Sequence, residues 1–519
     1  MIYLVEMVAA IDAAGTTTTL RATTAAHYAT GPTDTPANTQ YLPRVKTAGL
    51  FRRDIASPGR IYGATPAGYG MVELANADGA LDGWLDYGFD GRAITLKAGE
   101  DGAPYADMVT VLLGTMDQVQ ADGLGTLTVR IRDRLHELDK PLLSATYTGG
   151  NSLPAGLEGV EDLAGKRKPR VYGAAANVSP PCVNTSRLIY QVSDIACYSV
   201  TAIYDQGVSL TKGADYTSQS DMETTAPSAG QARVWPAGGY FRLGSSPAGQ
   251  VTADVWEYSG TPGTDPGKAA YLLQEIAEDS GIATADISAA DVTALNALAV
   301  FYTPHFGIYL EPDAPTTALQ AMDLIANGCQ VWYGFDRLGK LRMQRMSAPS
   351  LGDSVYTFGA HEVLSLRRRA SDDAGAGVPA WSVAYRYFPN YTVQRDSDLA
   401  GSVTLVNRQY KREEWRSAKS TDAAIKTKHL LAQEIGFDCY VAAQPTAATF
   451  AADLLALLKV ERALYEVKVH LRLSMISLIE LGAVVRLDID RFGLLDKPLR
   501  ITGILHDPRA QTAELTLWG

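Results

Sequence analysis

Cysteine is nearly missing: four residues in 519, at positions 182, 197, 329 and 439. None stands in a CxxC spacing, which argues against a zinc knuckle and against a disulfide framework. Cys182 and Cys197 are close enough in sequence to meet across strands, but free thiols in a reducing compartment are the simpler reading. The seven histidines are scattered, without an HExxH pair, and no GxSxG elbow occurs. No apolar run approaches the roughly 20 residues that cross a bilayer, so no membrane anchor is expected. The opening MIYLVEMVAAIDAAG has no basic leader, and Glu6 and Asp12 interrupt it, against a signal peptide. Basic excess is absent too. With 46 Lys+Arg against 57 Asp+Glu the net charge is −11, which excludes bulk attraction to nucleic acid or to an anionic membrane.

Motifs that come near to chemistry fall short of it. GTPGTDPGKA lacks the Walker pattern, because Pro262 stands where a glycine is needed and Ala269 where the magnesium-binding hydroxyl would be. Asn76, Asp78 and Asp82 could begin a calcium loop, but its twelfth position is Tyr87 instead of a bidentate Glu, so a β-turn at Asp78-Gly79 is expected. His136 and His470 read as solvated. Asp488 and Asp490 share one strand face, whereas glycoside chemistry needs two carboxylates across a cleft. No catalytic residue, metal ligand or cofactor site is expected, and the chain does not read as an enzyme.

What is present is a foldable chain rich in strands and turns. Hydrophobic residues make up 46%, charged residues 20%, with 47 Gly, 25 Pro and 26 Tyr. Tyr3, Val5, Met7 and Ile11 alternate in the first strand, and further strands are expected at GYGMVELAN, GRAITLKAG, ADMVTVLLGTM and GTLTVRIRD. Residues 22–65 look less regular, a long surface excursion. The cleanest alternation is YEVKVHLRL, where Tyr465, Val467 and Val469 interleave with Glu466, Lys468 and His470. The last forty residues form a three-stranded meander, with Val485, Leu487 and Ile489 opposite Arg486, Asp488 and Asp490. Helices are expected at KAAYLLQEIAEDSG, stopping at Gly281, and at TTALQAMDLIANG, with a Thr N-cap and Gly328 as C-cap. CQVWYGFDRLGKLRM reads as a hairpin turning at DRLG, SVTLVNRQY as a strand, and Phe450, Leu454 and Leu458 as a helix stripe.

The fold class is therefore mainly β (α+β) and multidomain. The expected units are an N-terminal β-barrel-type domain (1–165), an inserted Tyr/Trp-rich β domain (166–262), a helix-containing α+β domain (263–350) and a C-terminal β-barrel-type domain (351–519). Three basic clusters remain: Lys166, Arg167, Lys168 and Arg170; Arg367, Arg368 and Arg369; and Lys411, Arg412 and Arg416. They read as ion-pair sites between domains or subunits, or as solvated faces. Trp235, Tyr240, Phe241 and Trp256 are candidates for stacking on glycan, or for strand packing.

The succession of these patterns resembles a known family. A Thr-rich second strand is followed by HYATGPTDTPANTQYLPRV, then by GYGMVELANADGALDGWLDYGFDGRAITLKAG, the connector GLEGVEDLAGKRKPRVYG and YDQGVSLTKGADY. This order is similar to that of tail hub (baseplate hub) proteins of phages with long non-contractile tails. The resemblance implies two tail-tube-like β-barrel domains per chain and a homotrimer that adapts a six-fold tail tube to a three-fold tip. It also implies closure of a channel through which DNA passes without specific binding. The implied partners are the distal tail or tail tube protein, the tape-measure protein and tip or fibre proteins. The implied location is the virion tail, after assembly in the host cytoplasm. With the sequence closing at Trp518-Gly519, no C-terminal lysozyme-like or fibre-like extension is expected. The alternative is an adsorption protein of the tail tip that binds a glycan or receptor.

Overall fold

The alternation in the first strand decides what it covers. In a computed structural model, Tyr3, Val5, Met7 and Ala9 point into one core, while Glu6 and Val8 point the other way. The structure describes all residues except 56–61, 258–266, 299–305, 314–315, 371–375 and 443. The GTPGTDPG linker therefore lies largely outside the described residues.

A 13-stranded sheet dominates the molecule. Its strands in chain order are β1 (Ile2–Ala10), β2 (Thr17–Thr23), β3 (Val45–Asp54), β4 (Tyr69–Ala75), β5 (Ala93–Gly99), β6 (Val109–Asp122) and β7 (Thr126–Arg132). From the C-terminal region come β8 (Ser354–Gly359), β9 (Val363–Arg369), β10 (Leu464–His470), β11 (Val484–Ile489), β12 (Leu494–Asp507) and β13 (Thr512–Trp518). The spatial order is β2-β1-β5-β6-β7-β4-β3-β12-β13-β10-β9, with β11 pairing both β12 and β8. Strands from the two ends of the chain thus meet at β3 and β12, in the register Gly503 with Asp54, Ile504 with Arg53 and Leu505 with Arg52. One apolar core runs under both parts, from Tyr3 and Val5 to Leu515, Leu517 and Trp518.

β3 corrects the sequence reading of residues 22–65 as a surface excursion. Ala48 and Phe51 are buried in the core, and β3 is the strand through which the two parts of the sheet join. Register shifts between Val45 and Thr47 and between Ala48 and Leu50, with Gly49 at φ +77°, break the alternation that would have announced it.

A second core gathers the helices α1 (Ala269–Asp279), α2 (Ala289–Asn296) and α3 (Ala318–Cys329), the later helix of Gln444–Leu458, and the hairpin of Val331–Phe335 and Leu341–Arg345. The sheet of Ala380–Tyr387, Arg416–Thr421 and Gln433–Cys439 packs into this same core, so residues 380–458 group with the helices and not with the C-terminal strands. α3 starts at the expected Thr: Thr317 Oγ1 accepts from the Gln320 amide at 3.3 Å, and Gln320 Oε1 accepts from the Thr317 amide at 3.0 Å. Its end differs. Gly328 lies inside the helix against Cys439, and the left-handed C-cap is Gln330, whose side-chain amide donates to Tyr385 Oη at 2.8 Å. The expected strand SVTLVNRQY is largely helical: Thr404 caps α4 (Leu405–Arg412) by accepting from the Asn407 amide.

The inserted region is a third body, in which two five-stranded sheets face a core of Val171, Val200, Phe241 and Val255 among others. Mainly β and multidomain describes the whole.

Candidate functional site: the polar face of the continuous sheet

Alternation puts a second, hydrophilic surface on the side of the large sheet away from its core. Register fixes the rows. Ser365 of β9 stands beside Lys468 of β10, which stands beside Glu514 of β13, beside Leu505 of β12. Across the junction the same row continues from Arg52 of β3 to Tyr69 of β4 and Arg132 of β7. Seven strands at about 4.8 Å spacing make this row about 29 Å long. No single domain of the chain could supply it.

The charges on this face are interleaved. Lys468 donates to Glu514 at 3.1 Å, Arg52 to Asp54 at 2.7 Å, and Arg132 lies 3.7 Å from Asp117. Threonines carry the rest of the ladder: Thr47 Oγ1 donates to Glu73 at 2.7 Å and Thr128 Oγ1 to Asp122 at 2.6 Å. A cleft of about 360 Å³ lies along the junction, lined by Arg52 and Asp54 from β3, Glu514 and Thr516 from β13, and Glu466 and Lys468 from β10. The mixed signs differ from a uniformly acidic wall, which the overall charge alone would suggest. Over β1 and β5 the same face is roofed by Tyr28, Tyr41 and Met108, and the hydroxyls of Tyr41 and Tyr105 donate to Glu6.

Behind the junction sits a buried polar cluster. Arg53 donates to Glu480, and Arg337 Nε lies 3.8 Å from the other oxygen of that carboxylate. Arg337 comes from the turn of the 331–345 hairpin and also donates to the Thr110 carbonyl, and its guanidinium is shifted below the ordinary value by burial. His506 of β12 lies with its Nε2 3.5 Å from Tyr3 Oη, and burial, reinforced by the Arg53 cation, pushes its pKa down to about 4.

The residues singled out from sequence are spread over the molecule. Asn76 and Asp82 bond each other at 2.7 Å, and Asp78 takes a bidentate ion pair from Arg44 at 2.8 and 2.7 Å, which is turn chemistry. His136 Nδ1 lies 3.1 Å from the Asp133 carbonyl, and His470 is exposed at the end of β10. Asp488 is exposed on β11. The four cysteines are free thiols, and Cys329 and Cys439 are buried in the second core. Tyr240 and Phe241 are buried in strand packing, with Phe241 stacked on Tyr190 and Tyr240 on Trp235, so they do not form the exposed platform that glycan stacking needs.

Two of the basic clusters tie parts of the chain together. Arg170 pairs with Asp194 of the inserted region at 2.7 Å and with Asp279 of α1 at 2.8 Å. Lys411 is buried, donates to Asn177 at 2.7 Å and lies 3.7 Å over the Tyr204 ring, so α4 is clamped to the inserted region. The third cluster is different. Arg367 and Arg369 share one carboxylate, Glu466, at 3.8 and 3.5 Å, on the outermost strand of the sheet.

No protein-family model and no curated protein sequence matches the chain. Among solved structures it is similar to the 43 kDa tail protein of prophage MuSo2 from Shewanella oneidensis, with 12% identity, TM-score 0.42, and coverage of 100% of this chain and 96% of that one. It is also similar to a tail protein from Neisseria meningitidis MC58, at 11% identity and TM-score 0.41, covering 100% and 96%. A third is prophage tail protein gp18 from Listeria monocytogenes EGD-e, at 10% identity and TM-score 0.35, covering 100% and 94%. At such identities and scores, function has to be read from this chain's own residues.

Proposed function

We propose that the chain is a structural protein of a phage tail, the subunit of a trimeric hub at the distal end, without catalytic activity. In this reading three copies surround an axis, and each contributes two strand-rich units, so that a three-fold object continues a six-fold tube. The observation that carries it is the junction of β3 with β12, which merges strands from both ends of the chain into one sheet with one core. A sheet built this way offers a wide, continuous wall. Interleaved cations, carboxylates and threonines suit a wall past which DNA moves, because no patch of one sign traps or repels the polymer. The order of sequence patterns over residues 1–260 supports the same assignment.

The hub contacts the distal tail or tube protein above and tip or fibre proteins below, holds the end of the tape-measure protein and closes the channel until ejection. It acts in the virion after assembly in the host cytoplasm. For the glycan-binding alternative, Tyr240 and Phe241 are buried and Trp235 and Trp256 are half-buried, which leaves those two tryptophans as its stacking candidates. Gold-labelled antibody against the protein tests the placement on tailed particles. Label confined to the distal tip is expected, and label along the shaft or absent from particles contradicts the reading.

A further inference from the structure

At the end of the β9–β10 pair the chain gathers positive charge. Arg368 and Arg369 close β9, and Arg462 stands just before β10. These three arginines line a recess of about 320 Å³ whose other walls are alanine and glycine. Lys497 of β12 lies close by: burial, then the fields of Arg368 and Arg462, hold its ammonium below the ordinary value.

Counter-charge is short at this place. Glu466 is shared by Arg367 and Arg369, at 3.8 and 3.5 Å. Glu461 is taken by Lys428 at 2.6 Å, with Arg368 the weakest of the cations acting on it. Arg368, Arg462 and Lys497 enter no ion pair among the described residues. Arg462 is only 9% exposed, with its guanidinium 4.9 Å from the centre of the Trp518 ring and a hydrogen bond to the Leu457 carbonyl. Burial holds it below its ordinary value, and no carboxylate acts against that. A ring and a carbonyl satisfy its N–H groups without neutralising its charge. Such a cation is costly to bury alone, and a bound anion offsets that cost.

We infer that the recess binds carboxylates, those of an acidic segment of another protein, with Asp or Glu side chains laid against Arg368, Arg369 and Arg462. Guanidinium forks match a carboxylate with two parallel hydrogen bonds. Small wall residues let a peptide backbone approach closely. Duplex DNA fits less well, because it is held by cations spread over several phosphates and would meet, beyond the recess, a chain of net charge −11. A short acidic segment meets only the local excess. The recess lies beyond the polar row through Lys468, Glu514 and Arg52, so the inference does not rest on the hub reading.

Fluorescein-labelled octaglutamate added to the full-length protein tests this by fluorescence anisotropy. Wild type is expected to bind it, less tightly as salt is added. Arg368→Glu, at an exposed position, should weaken binding by about tenfold or more and leave the melting temperature unchanged. Arg509→Glu makes the same charge change in the turn at the far end of β13 and should bind as wild type does. Unlabelled octaglutamate, inorganic phosphate and duplex DNA are then compared as competitors. Displacement by duplex DNA at lower concentration than by octaglutamate would give the recess to phosphodiesters and overturn the peptide assignment. Equal displacement by inorganic phosphate would leave a simple anion site and overturn it too. The chain's own Asp372 and Asp373, outside the described residues, are the remaining occupant. A gain of about tenfold in Asp372→Asn with Asp373→Asn would assign the recess to them and overturn the partner reading. No binding by wild type, or equal losses in Arg368→Glu and Arg509→Glu, overturns the site.

Discussion

Arg53, from the N-terminal part of the sheet, donates through Nη1 to the carboxylate of Glu480 from the C-terminal part, and both side chains are largely buried. Arg337 approaches the second oxygen of the same carboxylate, so one Glu serves two guanidinium groups behind the β3–β12 junction. Removing the carboxylate takes from Arg53 and Arg337 the acceptor they share and leaves only the fields of Asp133 and Asp336 to offset two largely buried cations. Glu480→Ala is expected to destabilise the protein by about 3–5 kcal/mol, read from chemical denaturation. Glu480→Gln, which keeps the hydrogen-bonding oxygen, costs less. Equal, small effects would show that the cluster does not hold the junction.

Acid should loosen the same place. His506 is neutral in the fold down to a pKa of about 4, whereas in the unfolded chain it takes its proton near 6.5. Its contribution is therefore complete above pH 6.5, declines as pH falls through that value toward 4, and changes no further below. The loss over that window is about 3 kcal/mol, since each pH unit between the folded and unfolded values is worth about 1.4 kcal/mol. His506→Gln should flatten this part of the stability curve measured between pH 7 and pH 4. An unchanged slope would place the acid sensitivity elsewhere.

Phe241 is fully buried and stacked on Tyr190 at 5.2 Å between ring centroids. Phe241→Ala is expected to cost about 3–5 kcal/mol of stability. Exposed Tyr69→Ala, by contrast, should leave the melting temperature within a degree or two of wild type, since surface changes are usually within about 0.5 kcal/mol. A neutral Phe241→Ala would return that ring to the candidates for ligand stacking.

The polar face should be indifferent to DNA only while its charges stay interleaved. Glu73→Lys, Glu466→Lys and Glu514→Lys together would make it basic. Binding of this triple variant to duplex DNA, weakening steeply with added salt, is expected where wild type shows none. Fluorescence anisotropy at several salt concentrations checks this, and tight wild-type binding would contradict the conduit role.

Much of the fold was legible in single strands. Tyr465, Val467 and Val469 are buried while Glu466 and Lys468 reach the polar face, as their alternation required. Where alternation failed, so did the reading. The bulges and Gly49 of β3 concealed the strand on which the junction depends. α4 has no apolar stripe facing a core: Leu405 and Val406 are 83% and 77% exposed, and only the capping Thr404 signalled a helix. α2 went unread although Ser288 and Asp291 hold the cap positions. The polar face could not be read from local pattern at all, since its neighbours, Arg52 and Leu505, lie 453 positions apart.

One claim underlies the rest: the sheet uniting both ends of the chain is completed by further copies around an axis. Electron cryomicroscopy of the purified protein measures this most directly. The expected map is a threefold ring, three times the 55.6 kDa chain in mass, around a central channel walled by the face that carries Arg52, Lys468 and Glu514. A monomer, or a two-fold dimer with that face turned to bulk solvent, would contradict it.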